Sequence, residues 1–185
     1  MFEGTWDTRN VVRLFSAVGA LILFSVVVGA YTIQFTLNEA PCPLCLLIRL
    51  GMLAAGFGLM LNALYGPRAA HYGFTLLGAF FGAAVSLRQV ALHIVPGTGS
   101  YGEPVLGFHL YTWAFAVFMC MILAVGVALF FQRQFEPAKG SAPKVVSALA
   151  VLALILGIAL SAANVLTTAI ECGVGACPDD PTRAL

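Results

Sequence analysis

Five apolar stretches dominate this sequence, running approximately Leu14–Ile33, Leu44–Leu64, Tyr72–Ile94, Leu110–Phe131 and Val145–Leu166. Each is long enough to cross a hydrocarbon core of about 30 Å, which takes roughly 20 helical residues. Lipid offers no hydrogen bonds to exposed N–H and C=O groups, so such segments must satisfy them internally as helices. The expected fold is therefore an all-α integral membrane bundle. Gly and Pro punctuate the joints at Pro41 and Pro43, at Gly66-Pro67, from Pro96 to Gly107, and from Pro137 to Pro143. Composition agrees: 61% of the 185 residues are hydrophobic and 9% charged, where a soluble domain carries about 25% charged residues. That is too little polar sequence to wet the outside of a soluble core. The net charge of +1 and the lack of a basic run give no sign of a nucleic-acid partner.

The first stretch follows Arg9 and Arg13, as the apolar part of a secretory signal would. It is longer than the usual 7–15 residues and no A-x-A site follows, so it is expected to stay as an anchor. Orientation follows from the basic residues. Arg9, Arg13, Arg68, Arg133, Lys139 and Lys144 fall on one side of a five-span chain, and Arg183 falls on the other. The positive-inside rule makes the first side cytoplasmic, with the N-terminus inside and the C-terminus outside. Glu39, Glu103, Glu171, Asp179 and Asp180 then decorate the outer face.

That topology gives meaning to the cysteines. Cys42 and Cys45 open the second span at the outer surface, and Cys172 and Cys177 lie in the tail on the same side, where disulfides persist. Cys120, near the middle of the fourth span, reads as a small packing residue. In Cys42-Pro43-Leu44-Cys45, Pro43 suits the first position of a helix. A thiol there feels the positive end of the helix dipole, which favours thiolate. Arg49 follows Cys45 by four residues and so lies one turn deeper on the same face. An arginine at membrane depth is costly and marks a site, the bland reading being that it snorkels to the interface about 6 Å away. Arg88, Gln89 and His93 make a second polar cluster toward the outer end of the third span, for which snorkelling is again the bland reading.

Cys42-Pro43-Leu44-Cys45 with Arg49 resembles the signature of the DsbB family of disulfide-bond formation proteins. Arg88-Gln89-Val90 with His93, the loop Pro96–Tyr101 and the run from His109 to Phe115 are similar as well. The resemblance covers roughly Leu14 to Phe131. It implies a four-helix bundle in the bacterial inner membrane that reoxidises a periplasmic DsbA-type thiol oxidase and passes electrons to ubiquinone or menaquinone. Residues 1–131 would form that bundle, 132–144 a cytoplasmic linker, and 145–185 a fifth helix with a periplasmic tail. The resemblance casts Cys45 as the thiolate facing the quinone and Arg49 as the stabiliser of negative charge, with Arg88 and His93 as weaker candidates for the quinone pocket.

The chain departs from the family's best-known form in one respect. A second cysteine pair is there found between the third and fourth spans, and here the segment from Pro96 to His109 has none. Cys172 and Cys177 are expected to compensate. About six residues separate Cys172 from the expected end of the fifth span, a reach of roughly 20 Å, comparable with two helix diameters. The expected mechanism is serial thiol–disulfide exchange, from partner to tail pair to Cys42–Cys45. Three rivals stand beside it: a zinc site of four cysteines, which an oxidising compartment disfavours; a structural membrane subunit with two disulfides; and a reductive or VKOR-like quinone enzyme with similar parts on a different helix order.

Overall fold

The computed structural model describes residues 7–37, 42–95, 104–137, 141–173, 175 and 177. Glu39, Glu103, Lys139, Asp179, Asp180, Arg183 and the loop Pro96–Tyr101 lie outside the described residues. Five helices follow one another: α1 Thr8–Leu37, α2 Pro43–Tyr65, α3 Ala69–His93, α4 Leu110–Leu129 and α5 Lys144–Cys172. A short 3₁₀ helix, Gln132–Phe135, leads out of α4. All five are long and apolar enough to cross a membrane. Large apolar side chains such as Phe15, Leu77, Phe80, Leu123, Ile155 and Ile158 stand exposed around the bundle. A soluble monomer rarely exposes apolar patches of more than a few hundred Å², so this belt is the surface that faces lipid. The protein is an all-helical, multi-pass membrane protein.

The most buried helix is α2, which packs against α1, α3 and α5, while α4 reaches the bundle through α3. Small residues set the closest approach. A Cβ added to Gly51 would stand 2.7 Å from Gly82 Cα, and one added to Gly78 would stand 2.5 Å from Ala55 N, so the backbones of α2 and α3 nearly touch. Close backbone approach through small residues is how helices associate where lipid removes the hydrophobic drive between them. On the other side of α2, Ala17, Ala63 and Ala150 join α1, α2 and α5, and Gly157 of α5 leaves room for the Phe24 and Phe57 rings.

One end of the bundle gathers Arg9, Arg13, Arg68, Arg133 and Lys144. Two of these arginines have a local task. Arg13 donates through Nε to Ala63 O and through a terminal nitrogen to Leu64 O, both at 2.9 Å. Arg9 donates to Tyr65 O and to Glu136 O. The last carbonyls of a helix have no partner within it and sit at the negative end of its dipole. Arg9 and Arg13 therefore cap the C-terminus of α2, beside Gly66, whose φ of 90° turns the chain toward α3. Gln134, fully buried, accepts from Tyr72 Oη and donates to Ala128 O, so the connection after α4 is packed against the bundle.

Two helices differ from the sequence expectation. α1 begins at Thr8 rather than Leu14 because Asp7 caps it, accepting from Asn10 N at 2.8 Å. α5 does not end near Leu166: it continues to Cys172, and only Gly173, with φ 58°, stops it. The polar residues in that last stretch do not break the helix, since Thr167 and Thr168 donate to the carbonyls of Ala163 and Asn164, four residues back. The expected six-residue connection between the fifth span and Cys172 is thus a continuation of the helix.

Candidate functional site

At the end of the bundle opposite the arginine-rich one, Cys42 caps α2. Its extended backbone (φ −68°, ψ 155°) and Pro43 in the first turn start the helix, and its Sγ accepts from Cys45 N at 3.1 Å. Cys42 and Cys45 form a disulfide with Cα atoms 5.1 Å apart. Cys42 is buried at 3% exposure, whereas Cys45 is half-buried. Cys45 is thus the more exposed residue of the pair.

One turn below Cys45, Arg49 is buried at 7% exposure. Its guanidinium donates to Gln34 Oε1 at 2.8 Å, approaches Ala30 O at 3.5 Å, and lies over the Tyr31 ring at 4.3 Å from the centroid. All three partners come from the outgoing half of α1. The planar fork has more N–H groups than these two bonds use. The charge is thus held against the last turns of α1, inside the bundle.

The third span contributes through a residue the sequence reading had not placed in the site. Gln89, fully buried, points its Nε2 at Cys42 Sγ (3.2 Å) and at Cys45 Sγ (3.5 Å). Arg88, its neighbour and the sequence candidate for the quinone pocket, is exposed on the outer face of α3 and makes no such approach. The helical period explains the exchange of roles. Successive residues differ by about 100° around the axis, so only one of the two can face α2. His93, four residues beyond Gln89, is half-buried and packs against Tyr111 of α4 with the rings tilted, 5.7 Å between centroids.

The second cysteine pair closes on itself, Cys172 with Cys177, with Cα atoms 4.2 Å apart at the tip of α5. α5 runs antiparallel to α2 and is pinned to it where Asn164 Nδ2 meets Leu46 O at 3.4 Å. Eight residues separate Asn164 from Cys172, about 12 Å along the helix, and four separate Cys42 from Leu46, about 6 Å. Both pairs thus lie at the same end, the tail pair standing higher by about 6 Å and displaced by about one helix width of 10 Å. Glu171 is near enough to act electrostatically on Arg49. Among the described residues no three of His, Cys, Asp and Glu gather into a metal-holding cluster. Cys120 lies exposed on the lipid face of α4, correcting its reading as an interior packing residue.

Sequence reasoning overlooked Tyr31, Gln34 and Asn164. A signal for the first two existed, since they stand three residues apart and so share a face of α1. For Asn164 the signal was a lone amide inside an apolar span.

A sequence model described as disulfide bond formation protein DsbB matches residues 12–103. That region holds Cys42, Cys45, Arg49 and Gln89, and stops short of α4, α5 and the tail pair. Among similar proteins, a disulfide bond formation protein B of Chromobacterium violaceum is 43% identical over 67 residues, covering 34% of this chain and 40% of that protein. A disulfide bond formation protein B 1 of Pseudomonas fluorescens is 33% identical over 113 residues, 60% of this chain and 55% of that protein. A disulfide bond formation protein B of Xanthomonas euvesicatoria is 30% identical over 115 residues, 58% of this chain and 67% of that protein. The chain spans about half the length of the first relatives it matches. No solved structure matches it.

Proposed function

The chain belongs to the DsbB family of disulfide bond formation proteins, and from that premise we propose that it is a thiol:quinone oxidoreductase of the bacterial inner membrane. In this reading it reoxidises a periplasmic DsbA-type dithiol protein. The observation that carries the proposal is a disulfide at the N-terminus of a membrane helix with a buried arginine one turn beneath it. A helix N-terminus favours thiolate over thiol. A guanidinium held at that depth by Gln34 and Tyr31 favours negative charge nearby.

The arginine-rich end is cytoplasmic by the positive-inside rule, which puts both cysteine pairs on the periplasmic side. A thiolate of the partner attacks the Cys172–Cys177 disulfide, and the partner's second thiol resolves the mixed disulfide, leaving the tail as a dithiol. A tail thiolate then attacks the Cys42–Cys45 disulfide, and the second tail thiol closes the tail bond again. Each exchange moves two electrons and two protons. Ubiquinone or menaquinone, when bound, supplies the two-electron sink that returns the core pair to the disulfide. The residues fit such a ring: Cys45 is the more exposed cysteine of the pair, and the Arg49 fork has more N–H groups than its contacts with Gln34 and Ala30 use. Arg88 and His93 drop to the margin of the proposal, Arg88 because it faces outward. Residues 1–131 then act as the exchanging bundle, 132–144 as the cytoplasmic connection, and 145–185 as the carrier of the second pair.

The test is direct. Purified protein should oxidise a reduced DsbA-type protein with matching loss of quinone absorbance, and Cys42→Ser or Cys45→Ser should abolish turnover while the protein still folds. Turnover retained in both single variants rules out the proposed active site. A structural subunit predicts no quinone consumption at all.

A further inference from the structure

Gln89 holds a position that the exchange described above leaves unused. It is fully buried on α3, with its Nε2 3.2 Å from Cys42 Sγ and 3.5 Å from Cys45 Sγ. Its Oε1 is buried without a hydrogen-bond partner among the described residues, so the sulfurs are what hold the amide. Disulfide sulfur is a weak acceptor, whereas hydrogen bonds to an ionised acceptor are about twice as strong as neutral ones. An amide set against two sulfurs in an apolar interior therefore gains most when one of them becomes charged. Leaving an amide oxygen unpaired in such a place is costly, and packing alone would be met better by an apolar side chain. The neighbouring N–H of Cys45 points at Cys42 Sγ from the helix side, so the Gln89 amide completes a small set of donors around the pair.

We infer that Gln89 is a hydrogen-bond donor to the reacting sulfurs and sets both the acidity and the redox poise of the Cys42–Cys45 pair. The inference rests on the reading of that pair as the exchanging disulfide. In the step concerned, an incoming thiolate forms a bond to one sulfur of the pair. The Cys42–Cys45 bond breaks, and its electron pair stays on the other sulfur as thiolate, to which the Gln89 N–H donates. The second thiol of the incoming dithiol then displaces the first sulfur, so the dithiol is oxidised, the pair is reduced, and two protons pass to the pair. Without the amide donor the thiolate is less stabilised. The thiol becomes less acidic and the pair harder to reduce.

The experiment uses the full chain in lipid nanodiscs, wild type beside Gln89→Met and Gln89→Leu, which keep a similar volume and lack the N–H. Alkylation rate against pH is followed for each cysteine peptide by mass spectrometry, and the dithiol–disulfide equilibrium is read in dithiothreitol buffers. No quinone or protein partner enters either measurement. The expected result is a rise of about one pH unit in the apparent pKa of the more acidic core thiol. With it the equilibrium shifts about tenfold toward the disulfide, about 30 mV for a two-electron couple. The Cys172–Cys177 pair should not move. If either folded variant keeps the core pair's acidity and equilibrium within twofold of wild type, the inference is overturned while the functional reading stands. If the wild-type core pair does not exchange with dithiothreitol at all, the functional reading itself fails. A melting temperature matching wild type certifies folding, and one folded variant suffices.

Discussion

At Arg49, a charge whose insertion at membrane depth costs about 2.5–3.5 kcal/mol meets the Gln34 amide oxygen, the Ala30 carbonyl and the Tyr31 ring, all on one neighbouring helix. A guanidinium so held acts through its planar fork as well as its charge, so Lys replaces it only in part. Arg49→Ala should raise the apparent KM for quinone at least tenfold and leave exchange between partner and cysteines intact, with Arg49→Lys in between. Unchanged quinone kinetics in Arg49→Ala would reduce the residue to a structural ion. Gln34→Leu should destabilise the protein by about 1–3 kcal/mol, since it strips a hydrogen bond from a buried charge, and a thermal melt in detergent reads this. That Arg49 sits within an apolar run was legible in the sequence. Its partners were not, because a pair three apart on α1 marks a face without saying which helix that face meets. Gln89 and Arg88 show the same limit: both are polar and adjacent, and only the rotation of α3 decides between them.

Among the helices, α5 departs furthest from expectation. Its last turns look like a polar connection in sequence, yet the hydroxyls of Thr167 and Thr168 are satisfied four residues back, and nothing breaks the helix before Gly173. Helix existence was legible from apolar length, and helix ends were not, since caps such as Asp7 and back-bonded threonines act locally. The rigid extension sharpens what the tail pair should do. The double variant Cys172→Ser, Cys177→Ser should lose oxidation of the protein partner but still reduce quinone with a small dithiol that reaches the core pair directly. Wild-type oxidation of the partner would make the tail pair a structural clip. Inserting one alanine after Leu166 turns everything beyond it by about 100° and lifts it about 1.5 Å. Were the connection flexible, that insertion would be silent. On a rigid helix it should slow transfer from tail to core several-fold, read by stopped-flow with quinone in excess.

For the molecule as a whole, two of the basic residues on which the proposed orientation rests also close its structure, because Arg9 and Arg13 end up bonded to the last carbonyls of α2. The sequence revealed the bias but not this second use, which depends on the start of α1 lying beside the end of α2. The orientation predicts that a membrane-impermeant thiol reagent, applied to intact spheroplasts after reduction, labels Cys172 and Cys177. Labelling only after lysis would overturn both the topology and the relay. The length of α5 adds a consequence of a different kind. Its 29 residues span about 44 Å, against a hydrocarbon core of about 30 Å, while the 23 residues of α2 span about 35 Å. A helix longer than its bilayer tilts, thickens the lipid around it or protrudes. The height of Cys172 above the headgroups is therefore expected to depend on membrane thickness. Under the proposed relay, acyl-chain length would act as a rheostat on how fast electrons enter, with short-chain lipids lifting the tail pair toward a soluble partner and long-chain lipids drawing it down.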